Sequence, residues 1–280
     1  MMKTLVIIPA LNEADSIERV IQMVRRSQPD VDVLVVNDGS TDNTSVLARD
    51  AGAIVLDMPY NVGIGAAMQA GYVFADEMGY DAAVQVDGDG QHPARHMHKL
   101  LRLLEDDECD MAVASRYVEK TRFRSSVSRR VGMVILAKFI SSIVRQRVTD
   151  STSGYRAANR RVIHFFAHHY PHDYPEPEVL VLLHKAGYTF KECAVPMRHR
   201  RTGVSSISLF KGFYYVAKVM LAIFVDLFKE VPRMPDPKAP RRPVTGKVHQ
   251  RRPVLTEVYR TNPSPRRGVR DHANRIPRPA

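Results

Sequence analysis

The 280-residue chain has only two cysteines, Cys109 and Cys193, far apart and without a Cys-x-x-Cys pair. That excludes a disulfide scaffold and a thiolate zinc site, and it fits a reducing compartment. A second absence is an uncharged apolar run of the roughly 20 residues that a bilayer-spanning helix needs. The longest candidate, Ser208–Glu230, is interrupted by Lys211, Lys218 and Asp226. Nor do the opening residues, MMKTLVIIPALNE, carry a small-residue cleavage site; with one lysine and acid following directly, they read as a first strand rather than a secretory signal. A basic surplus is missing from the body of the chain as well. The net charge is +11, but residues 232–280 hold 13 of the 41 Lys/Arg and 3 of the 30 Asp/Glu, so the rest is nearly neutral. The charge therefore belongs to a tail, and a nucleic-acid-binding fold is not indicated.

What remains is ordinary globular composition, 44% hydrophobic and 25% charged, arranged in a repeating order. Thr4–Ile8, Val31–Val36, Ala53–Leu56 and Ala82–Val86 are short apolar, strand-like runs. Helical spacing or alanine-rich sequence follows the first three, in Ser16–Arg26, Val46–Ala51 and Ala66–Met78. Strand alternating with helix implies a mostly parallel sheet with helices on both faces, an α/β fold. In such sheets ligands bind at the C-terminal strand ends. Pro9–Glu13, Asp38–Asp42, Asn61–Gly65 and Asp87–Gln91 should therefore converge on one site.

The fourth strand ends in Asp87-Gly88-Asp89-Gly90, two carboxylates and two glycines in four positions. Hard oxygen ligands of this kind suit Mg²⁺ or Mn²⁺ holding a diphosphate, although a solvated Asp-Gly turn would look the same in isolation. Further on, Cys109–Ser115 reads as another strand with Arg116 at its end, and Val131–Val144 as a long apolar helix. Asp150, Ser151, Ser153, Gly154 and Arg156 make a compact polar turn, in which Arg156 pairs with Asp150 or serves a phosphate. Tyr174-Pro175-Glu176-Pro177-Glu178 opens a helix ending near Lys185, and first-turn acids there also suit the helix dipole.

The segments PALNE, VVNDGSTDNT, NVGIGAAMQAG and QVDGDGQHP resemble the nucleotide-sugar-binding half of family 2 glycosyltransferases with the GT-A fold. ASRY, DSTSGYRA, YPEPEVLVLLHKAGY and RHRRTGVSSI resemble the subgroup that charges a polyprenyl phosphate, the dolichol-phosphate mannosyltransferase type. The likeness extends over residues 3–230. It implies an inverting hexosyltransferase that moves a sugar from a nucleotide-diphosphate donor to a polyprenyl phosphate for cell-envelope glycan synthesis. By the same resemblance Pro9, Leu11, Glu13, Asp38, Gly65, Asp87 and Asp89 hold the donor, and Asp87, Asp89 and Gln91 the metal, Mg²⁺ or Mn²⁺. Arg116, Arg129, Arg130 and Ser205 would grip the acceptor phosphate. Asp89, Arg116, Arg129 and Glu178 would carry catalysis. Glu176 falls close to where alcohol-accepting relatives place a base, but Pro175 departs from their Glu-Asp pattern, and a phosphate acceptor is already ionised and needs no base.

The implied partners are the nucleotide sugar, the polyprenyl phosphate, an anionic membrane surface and a small integral membrane protein, with no specific nucleic acid. The implied location is cytoplasmic, peripheral to the inner face of the membrane. Three regions follow: a catalytic domain over 1–205, an amphipathic membrane-interface helix over 206–231, and a basic Pro/Arg-rich tail over 232–280 that is expected to be disordered. The alternatives are a sugar-hydroxyl acceptor, a nucleotidyltransferase, for which PALNE replaces the needed glycine-rich basic loop, and a noncatalytic adaptor. Two histidine groups, His92/His96/His98 and His168/His169/His172, are expected to be structural or solvated rather than metal-binding.

Overall fold

The computed structural model describes residues 2–118, 127–197 and 209–231, apart from the side chains of 127–129 and 209–213. Its centre is a seven-stranded sheet in the order β3-β2-β1-β4-β6-β5-β7. The strands are β1 (Thr4–Ala10), β2 (Asp32–Asn37), β3 (Ile54–Asp57), β4 (Ala82–Gln85), β5 (Met111–Ser115), β6 (Arg156–Asn159) and β7 (Phe190–Ala194). β1 pairs in parallel with β2 and β4, β2 with β3, and β5 with β7. Only β6 runs antiparallel, inserted between β4 and β5.

Every residue of β1 is buried, which is why TLVIIPA is nearly continuous in apolar character instead of alternating: both of its faces are covered. One face, Val6, Ile8 and Ala10, joins Val33, Val35 and Val84 in a core capped by helices α1 (Ile17–Ser27), α2 (Thr44–Asp50) and α4 (Met97–Glu105). α1 buries Ile17, Val20, Ile21 and Val24, the i, i+3, i+4, i+7 set of an amphipathic helix. On the other side, α3 (Ile64–Glu77) packs against β1, β2 and α6 (Arg160–His168). Asn159 caps α6 by accepting the Val162 N–H at 3.0 Å.

Three further helices complete the described chain. These are α5 (Val127–Val144), α7 (Pro175–Ala186) and α8 (Leu209–Asp226), and α8 packs on both α5 and α7. Val219 and Ile223 of α8 are fully buried, while Tyr214, Leu221, Phe224, Val225 and Phe228 are exposed along and just beyond it. No helix among the described residues is long and apolar enough to cross a membrane. The basic tail over 232–280 lies outside the described residues.

Candidate active site

The ends of β1, β2 and β4 open on a single cavity of about 420 Å³. Pro9, Leu11, Glu13, Asp38, Asn61, Gly63, Asp87 and Asp89 line it, so the four strand-end motifs do meet. Their loops are fixed by short polar links. Asn12 is held in the left-handed region at φ 54°. Its N–H donates to Ser40 Oγ and its Oδ1 accepts the Thr41 N–H, each at 2.9 Å. The Glu13 N–H donates to Thr44 Oγ1 at 2.9 Å, and the Asp38 carboxylate accepts the N–H groups of Val62 at 2.7 Å and Gly63 at 3.0 Å. Asp38 therefore holds the 61–63 loop in place while lining the cavity.

Asp87 and Asp89 sit in a turn anchored from three sides. The Ser16 hydroxyl lies 2.6 Å from Glu13 Oε2 and 2.7 Å from the Gly88 carbonyl, tying the turn to α1. His92, only 4% exposed, accepts the Asp87 N–H on Nδ1 at 3.0 Å. Its ring stacks on Tyr155 with centroids 4.9 Å apart, and Nε2 is 3.4 Å from Asp87 Oδ2. The third anchor is the 150–156 turn. A Cβ on Gly154 would stand 3.1 Å from Asp87 Oδ1 and 3.0 Å from Gln85 Nε2, so a side chain there would press both groups out of place by a few tenths of an ångström. Asp89 accepts the Gln91 N–H at 3.0 Å and the Gln91 side-chain amide.

Beyond β4 the charged groups bond mainly to one another. Arg116 is bidentate to Asp150, Nε to Oδ2 at 2.6 Å and Nη2 to Oδ1 at 2.7 Å, and Nη2 also reaches Thr152 Oγ1 at 2.9 Å. The partner of Asp150 is thus Arg116, not Arg156. Arg156 donates instead to the carbonyls of Ser153 at 2.7 Å and Glu176 at 2.5 Å, stitching the turn to the start of α7. Glu192 of β7 accepts the N–H groups of Thr149 and Asp150, the latter at 2.8 Å. Sequence reasoning missed Ser16, His92 as an anchor, and Glu192; Ser16 and Glu192 stand outside any motif, and His92 lies in QVDGDGQHP, where the carboxylates take the notice.

The two acids of α7 part company. Burial raises the pKa of Glu176, against the lowering effect of the Arg156 guanidinium, and the Asp87 carboxylate adds to the rise. Glu178 instead lines a separate cavity of about 490 Å³ with Lys185, Asp226 and Lys229, and is absent from the lining of the strand-end cavity. Burial and the nearby Asp226 carboxylate push its pKa up to about 7. Gly65 also falls outside the lining. A Cβ there would come within 2.6 Å of Pro171 O and His172 backbone atoms, so its smallness serves the packing of α3 against that loop. Arg130 is exposed on α5. Arg129 lies on the same helix with its side chain undescribed, and Ser205 lies outside the described residues.

Four carboxylates line one cavity, which would repel a diphosphate unless a cation balanced them. The side-chain donors there are hard oxygens, with neither thiolate nor imidazole in the lining, a set that fits Mg²⁺ or Mn²⁺.

Comparison with known proteins bears on the family and the fold. The chain is 34% identical over 168 residues to a polyprenol monophosphomannose synthase of Mycolicibacterium smegmatis, covering 58% of this chain and 63% of that one. It is 32% identical over 162 residues to an undecaprenyl-phosphate mannosyltransferase of Micrococcus luteus, covering 56% and 66%. The chain thus spans slightly under two thirds of the length of each. In fold it is similar, with a TM-score of 0.61 at 19% identity over 80% of this chain and 79% of the other, to a glucosyl-3-phosphoglycerate synthase from Mycobacterium tuberculosis crystallised with Mn²⁺ and UDP. Residues 5–166, more than half of the chain, match the glycosyl transferase family 2, and the protein belongs to that family.

Proposed function

We propose that the protein transfers a hexose from a nucleoside-diphosphate donor to a polyprenyl phosphate, with inversion at the anomeric carbon. The observation that carries this is the carboxylate-lined cavity at the ends of β1, β2 and β4, in a chain whose relatives are named for polyprenyl-phosphate mannosyl transfer. Asp38, Pro9 and Leu11 would hold the nucleoside, and Asp87, Asp89 and Gln91 would hold a divalent cation at the diphosphate. When bound, that cation supplies charge neutralisation for the departing diphosphate. The protein's own part is to fix the donor. His92, Gly154 and Ser16 immobilise the aspartate turn before substrate arrives, so little reorganisation remains for the reaction itself.

The acceptor would enter from the α5/α7 side, with Arg129 and Arg130 at the start of α5 meeting its phosphate. A planar guanidinium fork suits a phosphate better than an ammonium does. Arg116 shapes this side from within, through Asp150. The exposed apolar side chains of α8 would rest at the cytoplasmic membrane surface, where a lipid-borne phosphate is presented. Attack by an already ionised phosphate opposite the leaving group requires no base, and a single displacement inverts the configuration.

The test incubates purified protein, Mn²⁺ and a panel of radiolabelled nucleotide sugars with short-chain polyprenyl phosphate and counts label extracted into organic solvent. One sugar should enter the organic phase, and Glu176→Gln should keep transfer within about tenfold. Label appearing only on sugar-hydroxyl acceptors, with Glu176→Gln losing the roughly 10²–10⁴-fold expected for a general base, would overturn the reading.

A further inference from the structure

The tautomers of two histidines on α6 are set by acceptors that cannot donate. His168 Nδ1 lies 2.9 Å from the carbonyl oxygen of His164. A carbonyl only accepts, so Nδ1 carries the proton and Nε2 the lone pair. His164 Nδ1 lies 3.0 Å from Oδ2 of Asp76, at the far end of α3, and a carboxylate oxygen as acceptor selects the same tautomer there. The two rings are one helical turn apart on the same face, with centroids 4.9 Å apart at 63°. Ligand-capable atoms of Asp76, His164 and His168 all lie within 4.8 Å of one another. Arg160 Nη2, 3.0 Å from Asp76 Oδ1, engages the other carboxylate oxygen and keeps Oδ2 turned to His164.

This is the outer-shell pattern of imidazole metal ligands, in which the second ring N–H rests on a carboxylate or backbone carbonyl and the remaining nitrogen is aimed and made more basic. We propose that His164 and His168, oriented by Asp76 and by the α6 backbone, bind a borderline divalent cation of the Zn²⁺ type at the seam between α3 and α6, with water completing the coordination. The seam is accessible, since His168 is exposed and the His164 side chain is 24% exposed. It is also distinct from the donor cavity, which meets the opposite end of the 14-residue α3, about 20 Å away along the helix axis. Imidazole nitrogen favours Zn²⁺, Co²⁺ or Ni²⁺, whereas the carboxylate-lined cavity favours Mg²⁺ or Mn²⁺, so the two sites sort cations by ligand chemistry. Linear sequence groups His168 with His169 and His172; its partner is His164, one turn back.

The experiment is a Zn²⁺ titration of the full chain, stripped with chelator, carrying Asp89→Asn and held in excess Mg²⁺ so that the donor cavity does not compete. Calorimetry should show one equivalent of Zn²⁺, and Co²⁺ in its place should give a visible absorption band. His168→Gln changes an exposed side chain and should leave circular dichroism unchanged while weakening Zn²⁺ binding at least tenfold. Asp76→Asn should weaken it by about 10–100-fold. Two results would overturn the site: Zn²⁺ binding by His168→Gln equal to that of its parent, or loss of the equivalent in the double variant His96→Gln/His98→Gln instead. No saturable Zn²⁺ binding by the parent chain would overturn it too.

Discussion

The two halves of the sheet use charge in opposite ways. On the β3-β2-β1-β4 side, carboxylates are held at a cavity wall by backbone amides and hydroxyls, and no guanidinium lines that wall. On the β6-β5-β7 side, the principal guanidiniums are spent internally: Arg116 on Asp150 and Thr152, Arg156 on the carbonyls of Ser153 and Glu176. One half presents charge at a cavity wall, and the other uses it as scaffold. What separates the two sides is the kind of partner: neutral N–H groups leave the cavity carboxylates with their net charge, whereas Arg116 and Asp150 neutralise each other.

Removing a presented charge should cost most. Asp89→Asn is expected to lower transfer by at least about 10²-fold, comparable to losing one preorganised electrostatic contact, with an unchanged melting temperature. Scaffold charges should respond the other way round. Asp150 is fully buried and the Arg116 side chain is 14% exposed, so Arg116→Ala strands an uncompensated carboxylate and should cost about 3–5 kcal/mol in urea unfolding. Arg130→Ala, on the exposed surface of α5, should stay within about 0.5 kcal/mol of wild type while raising the KM for polyprenyl phosphate. If Arg116→Ala unfolds like wild type yet fails in transfer, the division between presented and structural charge does not hold at that residue.

This contrast explains what could be read in advance. The strand-helix alternation of the first hundred residues is periodic, and β1, β2, β3 and β4 lie within two residues of the expected spans. The cavity was legible because parallel topology forces strand ends to one edge. In contrast, β6 is four residues of Arg-Ala-Ala-Asn with no alternation to betray it, and its antiparallel insertion is a tertiary fact. That insertion carries the 150–156 turn onto Asp87 and decides which arginine meets Asp150. The Arg116–Asp150 pair is 34 residues apart in sequence, so local spacing offered Asp150 only Arg156, six residues on. The parting of Glu176 and Glu178 is likewise invisible to spacing: two residues on a helix turn a side chain by about 200°, but what lies on each side depends on β4 and α8.

The exposed side of α8 is a third surface. α8 buries Val219 and Ile223 against the body and leaves Leu221, Phe224 and Phe228 outside. Replacing Phe224 and Phe228 by Ser should leave the fold intact and reduce co-sedimentation with anionic vesicles roughly tenfold at high salt, where long-range attraction is screened to within a few ångströms. Truncation after Val231 should act mainly at low salt, since the tail contributes charge. Equal sedimentation of all three proteins at both salt concentrations would remove α8 and the tail from the membrane contact.

The smallest expected effect comes from Glu178, whose cavity lies between α7 and α8. Burial first, and then Asp226, raise its pKa from 4.5 to about 7. The folded state therefore holds a proton that the unfolded chain has already released between those values. With the native state binding more protons, stability falls as pH rises through this window, and the loss is complete above pH 7. Solvent reaching the cavity moderates the size to roughly 1 kcal/mol, a few degrees in melting temperature. Glu178→Gln, which keeps the neutral shape at every pH, should flatten the melting-temperature profile from pH 4.5 to 7 and make the variant the more stable protein at pH 8. Lys185 donates to the carbonyls of Asp226 and Leu227 from the same cavity, so the gain should appear as tighter seating of the C-terminal end of α8. Hydrogen exchange at residues 223–229, slower in Glu178→Gln than in wild type at pH 8 and equal at pH 4.5, is the expected signature. Faster exchange in the variant at pH 8 would mean that the ionised carboxylate holds the helix end rather than strains it.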